Sequence, residues 1–244
     1  MSIFLTARDK LLTMFGDLKV YPWPMFALYD PGSYAVKGED VRQLIGVVQP
    51  GDIFVRGFLR YLDGYFIPGY LSHVGLYLGK VPRPGSSENI PSEVAASYKE
   101  GEQMVIHSMA EGVFMEDILS FARCDFLVVV RPNLANVPSG PIDIGEVCHL
   151  ALENLGKPYD FGFNFLVHDS LSCTEFVADC YEKYLKNFGV FVKTHQYLFI
   201  KRDMIIPDDF ITDRFDIVWM SKSVDRDKIA RVVAKNKSDY QGKL

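Results

Sequence analysis

The chain has 244 residues, 48% of them apolar and 14% aromatic, enough for one large domain or a domain with appendages. Its 26 basic and 31 acidic residues leave a net charge of −5 with no basic stripe, which argues against a nucleic-acid partner. No uninterrupted apolar run reaches about 18 residues, and Arg8, Asp9, Lys10, Asp17 and Lys19 break up any secretory h-region, so neither a spanning helix nor a signal peptide is expected.

In chain order, residues 1–45 read as an appendage. Ile3 to Phe15 has helical spacing of apolar residues, and Tyr21-Pro22-Trp23-Pro24-Met25-Phe26 reads as an extended strap, because its prolines preclude an ordinary helix. The turn Pro50-Gly51-Asp52 leads into a strand at Ile53–Val55, with Asp52 as a turn-capping carboxylate. Residues 57–71 are glycine-punctuated and aromatic-rich, which suits either the lining of an apolar or acyl pocket or a cover over one end of the fold. Alternation in Ser72–Gly79 puts Val74, Leu76 and Leu78 on one strand face and His73, Gly75 and Tyr77 on the other.

Residues 80–102 read as a polar insertion with a helical piece near 92–98. Strands follow at 104–109, 112–115 and 126–131, with a short helix over 116–123. Ile142 to Leu155 has the pattern of an amphipathic helix, stopped by Gly156. The turn Lys157-Pro158-Tyr159-Asp160 and a glycine- and phenylalanine-rich loop then deliver Ser172-Cys173-Thr174-Glu175. Ser172 and Glu175 form a capping box, so a helix begins at Cys173. A turn at 207–210, a strand at 215–220 and a charged tail from 221, read as a solvated helix or frayed end, complete the chain. The expected division is an N-terminal helix and strap over 1–45, a catalytic domain over 46–220 and a polar tail over 221–244.

Four cysteines without a CxxC pair make neither a disulfide framework nor a zinc ribbon. Reduced thiols and a cytoplasmic location are the default. Cys173 differs from the others, because unpaired N–H groups and the positive end of the helix dipole favour an anion there, and the thiol pKa is expected to fall. A cysteine nucleophile needs a base within hydrogen-bond reach, and the base needs a third group to orient it. His73 on a strand is the better base, and His107 on the next strand is placed to orient it. The alternative is two strand histidines satisfied by local hydrogen bonds. A zinc site from His73, His107 and Cys173 is chemically conceivable, but its spacing matches no metal motif, so neither a metal nor a cofactor is expected. His149, His168 with Asp169, and His195 read as structural or surface polar residues, and Cys180 as a small core residue.

Together, Pro-Gly-Asp-Ile at 50–53, Ser-His-Val-Gly at 72–75, Val-Ile-His at 105–107, Gly-Lys-Pro-Tyr-Asp at 156–160 and Ser-Cys-Thr-Glu-Phe-Val at 172–177 resemble the circularly permuted papain-like (NlpC-type) enzymes. The YiiX/YebB-like branch is the best match, with its relatives the lecithin:retinol acyltransferase-like proteins, and the resemblance covers residues 45–220. It implies an α+β fold, an antiparallel sheet or partly open barrel packed against helices, with the cysteine at a helix N-terminus. It also implies Cys173 as nucleophile and His73 as general base. His107 stands where this branch usually has Glu, so the third member is His107 or, alternatively, Glu111. Tyr159 and Tyr77 are the expected oxyanion or substrate residues. The implied activity is a cysteine-dependent amidase or peptidase working through a thioester on a small-molecule, peptide, cell-wall peptide or lipid/acyl substrate. An acyltransferase, or a catalytically silent binding module, is the alternative.

Overall fold

The computed structural model describes residues 18–22, 25–29, 34–59, 67–81, 99–133, 141–163, 165, 168–197 and 200–243. The helix expected at 3–15, residues 60–66 of the aromatic loop 57–71 and the helical piece near 92–98 lie outside these residues. Of the strap expected at 21–26, residues 21–22 end β1 (Leu18–Pro22) and residues 25–26 begin β2 (Met25–Tyr29), which pairs with it antiparallel; residues 23–24 lie outside the described residues.

The body is a six-stranded antiparallel sheet. Its strands are β3 (Ile53–Gly57), β4 (His73–Lys80), β5 (Gln103–Met109), β6 (Gly112–Asp117), β7 (Phe126–Pro132) and β10 (Phe215–Met220), in the order β10-β7-β3-β4-β5-β6. Asp52, beyond capping its turn, holds Arg131 of β7 through bonds of 2.7 and 2.8 Å to Nε and Nη2. A separate hairpin joins β8 (Lys193–Tyr197) to β9 (Ile200–Met204).

The strands carry side chains to two buried layers. Ile53, Val55, Val74, Leu76, Leu78, Met104 and Ile106 face α3 (Ile144–Glu153) and α4 (Cys173–Cys180) in one apolar cluster. Phe54, Tyr77, Val105, Leu127 and Val129 face α1 (Gly38–Ile45) and α2 (Ile118–Phe121) in the other. β3 is therefore buried throughout, and β4 as far as Gly79, rather than having a single core face. Gly75 is required there: a Cβ at that position would come within 2.8 Å of the Phe121 ring, which lies against the sheet.

The charged tail is α5 (Arg226–Gln241), and it is not wholly solvated. Ile229 and Asn236 are buried, and Asn236 Nδ2 donates to the carbonyls of Asp208 and Ile211. Among the described residues, no helix is long and apolar enough to cross a membrane.

Candidate active site

The capping box expected from the sequence forms. Ser172 Oγ accepts from Glu175 N at 3.4 Å and Glu175 Oε2 accepts from Ser172 N at 2.7 Å, so α4 starts at Cys173. Glu175 Oε1 also takes the Phe165 N–H at 2.8 Å, fastening the incoming loop to the cap. Ser108 Oγ of β5 donates to the Leu171 carbonyl and ties the same segment to the sheet.

Pairing between β4 and β5 runs from Lys80↔Gln103 to Gly75↔His107 and stops there. Just past that point the Cys173 sulfur accepts hydrogen bonds from the backbone of Val74 and Thr174. The helix tip thus seats the thiol beside the residue that follows His73. The expected low thiol pKa is not found. Burial pushes it up to about 11, and those hydrogen bonds and the Arg56 charge offset burial only in part. The resting thiol is neutral.

His73 Nε2 and His107 Nδ1 lie 2.9 Å apart, with the rings edge to face, so the two imidazoles bond each other rather than converge on a common point. Burial lowers His73 well below its ordinary value, with Arg56 and His107 adding to the effect. His107 is fully buried and lowered to about 4. Burial is the main cause, the Glu116 carboxylate pulls the other way, and Arg56 pushes down again. Both imidazoles are therefore neutral at pH 7.

Sequence reasoning missed two residues of this cluster. Glu116 Oε1 of β6 lies 3.1 Å from His107 Nε2, an ion-pair distance but off the N–H line a hydrogen bond needs. Burial would raise the Glu116 carboxyl, but His107, Arg56 and Arg123 outweigh it and leave it below its ordinary value. Arg56, the register partner of His73, is buried against the Phe121 ring, donates to the Phe121 carbonyl at 2.7 Å and stands 3.7 Å from Glu116 Oε1. The signal for Glu116 was its strand register, two residues beyond the partner of His107.

Two other expected positions are corrected. Glu111 sits exposed in the β5–β6 turn, and the carboxylate beside His107 belongs to Glu116. Tyr77 is buried in the layer under α1, stacked on Phe54, with its hydroxyl donating to Gln103 Oε1 at 2.6 Å; burial raises its pKa to about 12. It is a packing residue, not an oxyanion donor. Tyr159 is half-buried and packs against Phe161 and Phe163, whose backbone is left-handed.

The other histidines lie in other settings. His195 is buried against Asp209, His149 pairs with Glu153 along α3, and His168 bonds Asp179 rather than Asp169. Cys180 is buried in the core, as expected. Among the described residues, no group of three His, Cys, Asp or Glu side chains could hold a metal ion.

A capped cysteine at a helix tip, set against an antiparallel sheet whose earlier strands carry two bonded imidazoles, is a permuted papain-like arrangement. Residues 47–225 match the family described as permuted papain-like amidase enzyme, YaeF/YiiX, C92 family, and the chain belongs to it. Membership places it with cysteine hydrolases of the amidase and peptidase-like class, and the α+β fold expected from the motifs is the one observed. The chain is also similar to Protein OPG091 of Vaccinia virus (strain Western Reserve). The two are 24% identical over 164 residues, which is 67% of this chain and 79% of that protein. A solved structure, that of metalloprotein yiiX from Escherichia coli O157:H7, matches with a TM-score of 0.48 and 16% identity over 71% of this chain and 97% of that one.

Proposed function

We propose that the protein cleaves an amide or ester bond by acyl transfer to Cys173. The observation that carries this reading is the seat of the Cys173 sulfur on the backbone of Val74, next to a His73 whose Nε2 is committed to His107.

The ring nitrogens follow from the hydrogen-bond order. Glu116 can only accept, so it favours the proton on His107 Nε2. His107 Nδ1 then accepts from His73 Nε2–H, and His73 Nδ1 is left with the lone pair that takes a proton. With thiol and imidazole both neutral at rest, proton transfer accompanies attack: the sulfur bonds the substrate carbonyl carbon as His73 Nδ1 takes the thiol proton. The tetrahedral oxygen is met by the backbone N–H of Cys173, one of the unpaired donors at the helix start. His73 then protonates the leaving group and a thioester remains. Water resolves it in a hydrolase; an alcohol or amine would make the same site a transferase.

Incubation with p-nitrophenyl acetate, acid quench and peptide mapping tests this. Acetyl is expected on Cys173 in preference to Cys124, Cys148 and Cys180, and at a much lower rate in His73→Ala. Equal labelling of all four cysteines, or none on Cys173, would favour a binding module.

A further inference from the structure

Ser72 precedes the proposed base and has no role in the scheme above. Its N–H donates to the Arg56 carbonyl at 2.9 Å, yet Arg56 is also the register partner of His73, so two consecutive residues oppose one. That extra residue is a β-bulge, a feature that breaks strand alternation and re-aims side chains. The slip shows on both sides of it. Leu71 and Val74, an odd number of residues apart, both enter the apolar layer around α4, whereas His73 packs against Phe121 on the opposite face. The extra residue takes Ser72 out of the regular alternation of β4.

The Ser72 residue is 7% exposed, and its Oγ has no hydrogen-bond partner. Buried hydroxyls are ordinarily satisfied, and leaving one without a partner costs stability. A hydroxyl kept in this state next to a base and within two residues of the sulfur seat needs a partner that arrives with the reaction.

We propose that Ser72 Oγ donates a hydrogen bond to the carbonyl oxygen of the bound substrate, a bond that strengthens as that oxygen becomes an oxyanion. This assignment rests on the Cys173/His73 reading. Attack at a sulfur held on Val74 brings the carbonyl oxygen to this stretch of β4. Tyr77, the donor expected from the sequence, is already committed to Gln103. A donor idle at rest and engaged at the tetrahedral stage lowers the barrier rather than merely tightening binding.

Two reactions of Cys173 separate this role from any other. Acylation by p-nitrophenyl acetate forms the S–C bond, breaks the C–O bond to p-nitrophenolate and passes through an oxyanion, with the thiol proton going to His73. Alkylation by iodoacetamide displaces iodide and forms no oxyanion. Ser72→Ala is expected to slow acylation by about 10²-fold, to leave alkylation within about twofold, and to keep or raise the melting temperature. Ser72→Thr, which keeps the hydroxyl, should retain most of the acylation rate. The proposal is overturned if Ser72→Ala acylates at the wild-type rate, if both reactions slow equally, or if the melting temperature falls with them. Cys173→Ala is the separate control: acetylation that persists in it would sink the nucleophile assignment itself, whatever Ser72 does.

Discussion

Around His107, on the face of the sheet under α2, a neutral imidazole bonds His73, lies off-line from Glu116 and has no hydrogen bond at Nε2; nearby, the Ser72 hydroxyl has none at all. Around Asp209, beside Asn236 of α5, the polar groups are closely matched. Asp209 takes the His195 ring nitrogen at 3.1 Å, Lys193 Nζ at 2.9 Å and the Ile206 N–H at 2.9 Å, while Asn236 uses both its donor and its acceptor. The adjacent Asp208 accepts from the N–H groups of Tyr70 and Leu71. Both networks are buried, so both have given up water, and only the second is repaid in full by protein partners. On the proposed function, the difference separates a structural clamp from a site that holds capacity for a substrate.

Substitutions should therefore act on different quantities in the two places. The largest effect is expected at His73. His73→Asn should slow acylation of Cys173 by ~10²–10⁴-fold, the range for a lost general base, while urea unfolding shows a loss near ~1 kcal/mol, typical of one hydrogen bond. Asp209→Ala should do the reverse. Removing one partner of a buried ion pair costs about 3–5 kcal/mol, while the acylation rate per folded molecule should stay within about threefold. Unchanged unfolding of this variant would break the comparison. Glu116→Gln comes next. A Gln can donate as well as accept, so it no longer selects the His107 tautomer, and acylation should slow about tenfold, or ~1.4 kcal/mol. An unchanged rate would mean that Glu116 does not set the proton order.

Most of the clamp was illegible in the sequence, and much of the site was legible, for a physical reason. The capping box at Ser172 and Glu175 is a spacing within one helix turn, and the alternation of β4 is local; such signals survive without knowledge of the fold. Glu116 and Arg56 enter only through cross-strand register, and a turn residue such as Glu111 looks equally close until the hairpin is laid out. Tyr77 does share the face of His73, but it stands four residues, or about 13 Å, along the strand. The thiol pKa was misjudged because a helix dipole is visible in sequence and the burial that overrides it is not. His195 and Asp209 are 14 residues apart with β9 between them, and no local pattern pairs them.

The smallest effect gives the sharpest contrast, because the two networks should respond to pH with opposite sign. His107 titrates near 6.5 unfolded and at about 4 folded. Between those values the unfolded chain binds more protons, so its contribution to stability rises with pH and is lost on acidification through the same window. His73, also lowered, adds in the same direction. Asp208 is raised to about 6, chiefly by burial and against the Tyr70 and Leu71 N–H bonds. The folded state binds its proton more tightly there, so its contribution is present at low pH and lost as pH rises through about 6. From pH 4 to 6 the two slopes oppose each other, each at most about 1.4 kcal/mol per pH unit. In urea unfolding at pH 4.5, 5, 5.5 and 6, His107→Asn should lose stability relative to wild type as pH rises, and Asp208→Asn should gain it. Groups uncoupled from the substituted one cancel in each difference; His73, which His107 helps to lower, moves back toward its ordinary value in His107→Asn and so changes the slope in the same direction. Slopes of the same sign would mean that one of the two buried networks carries a charge state other than the one assigned to it here.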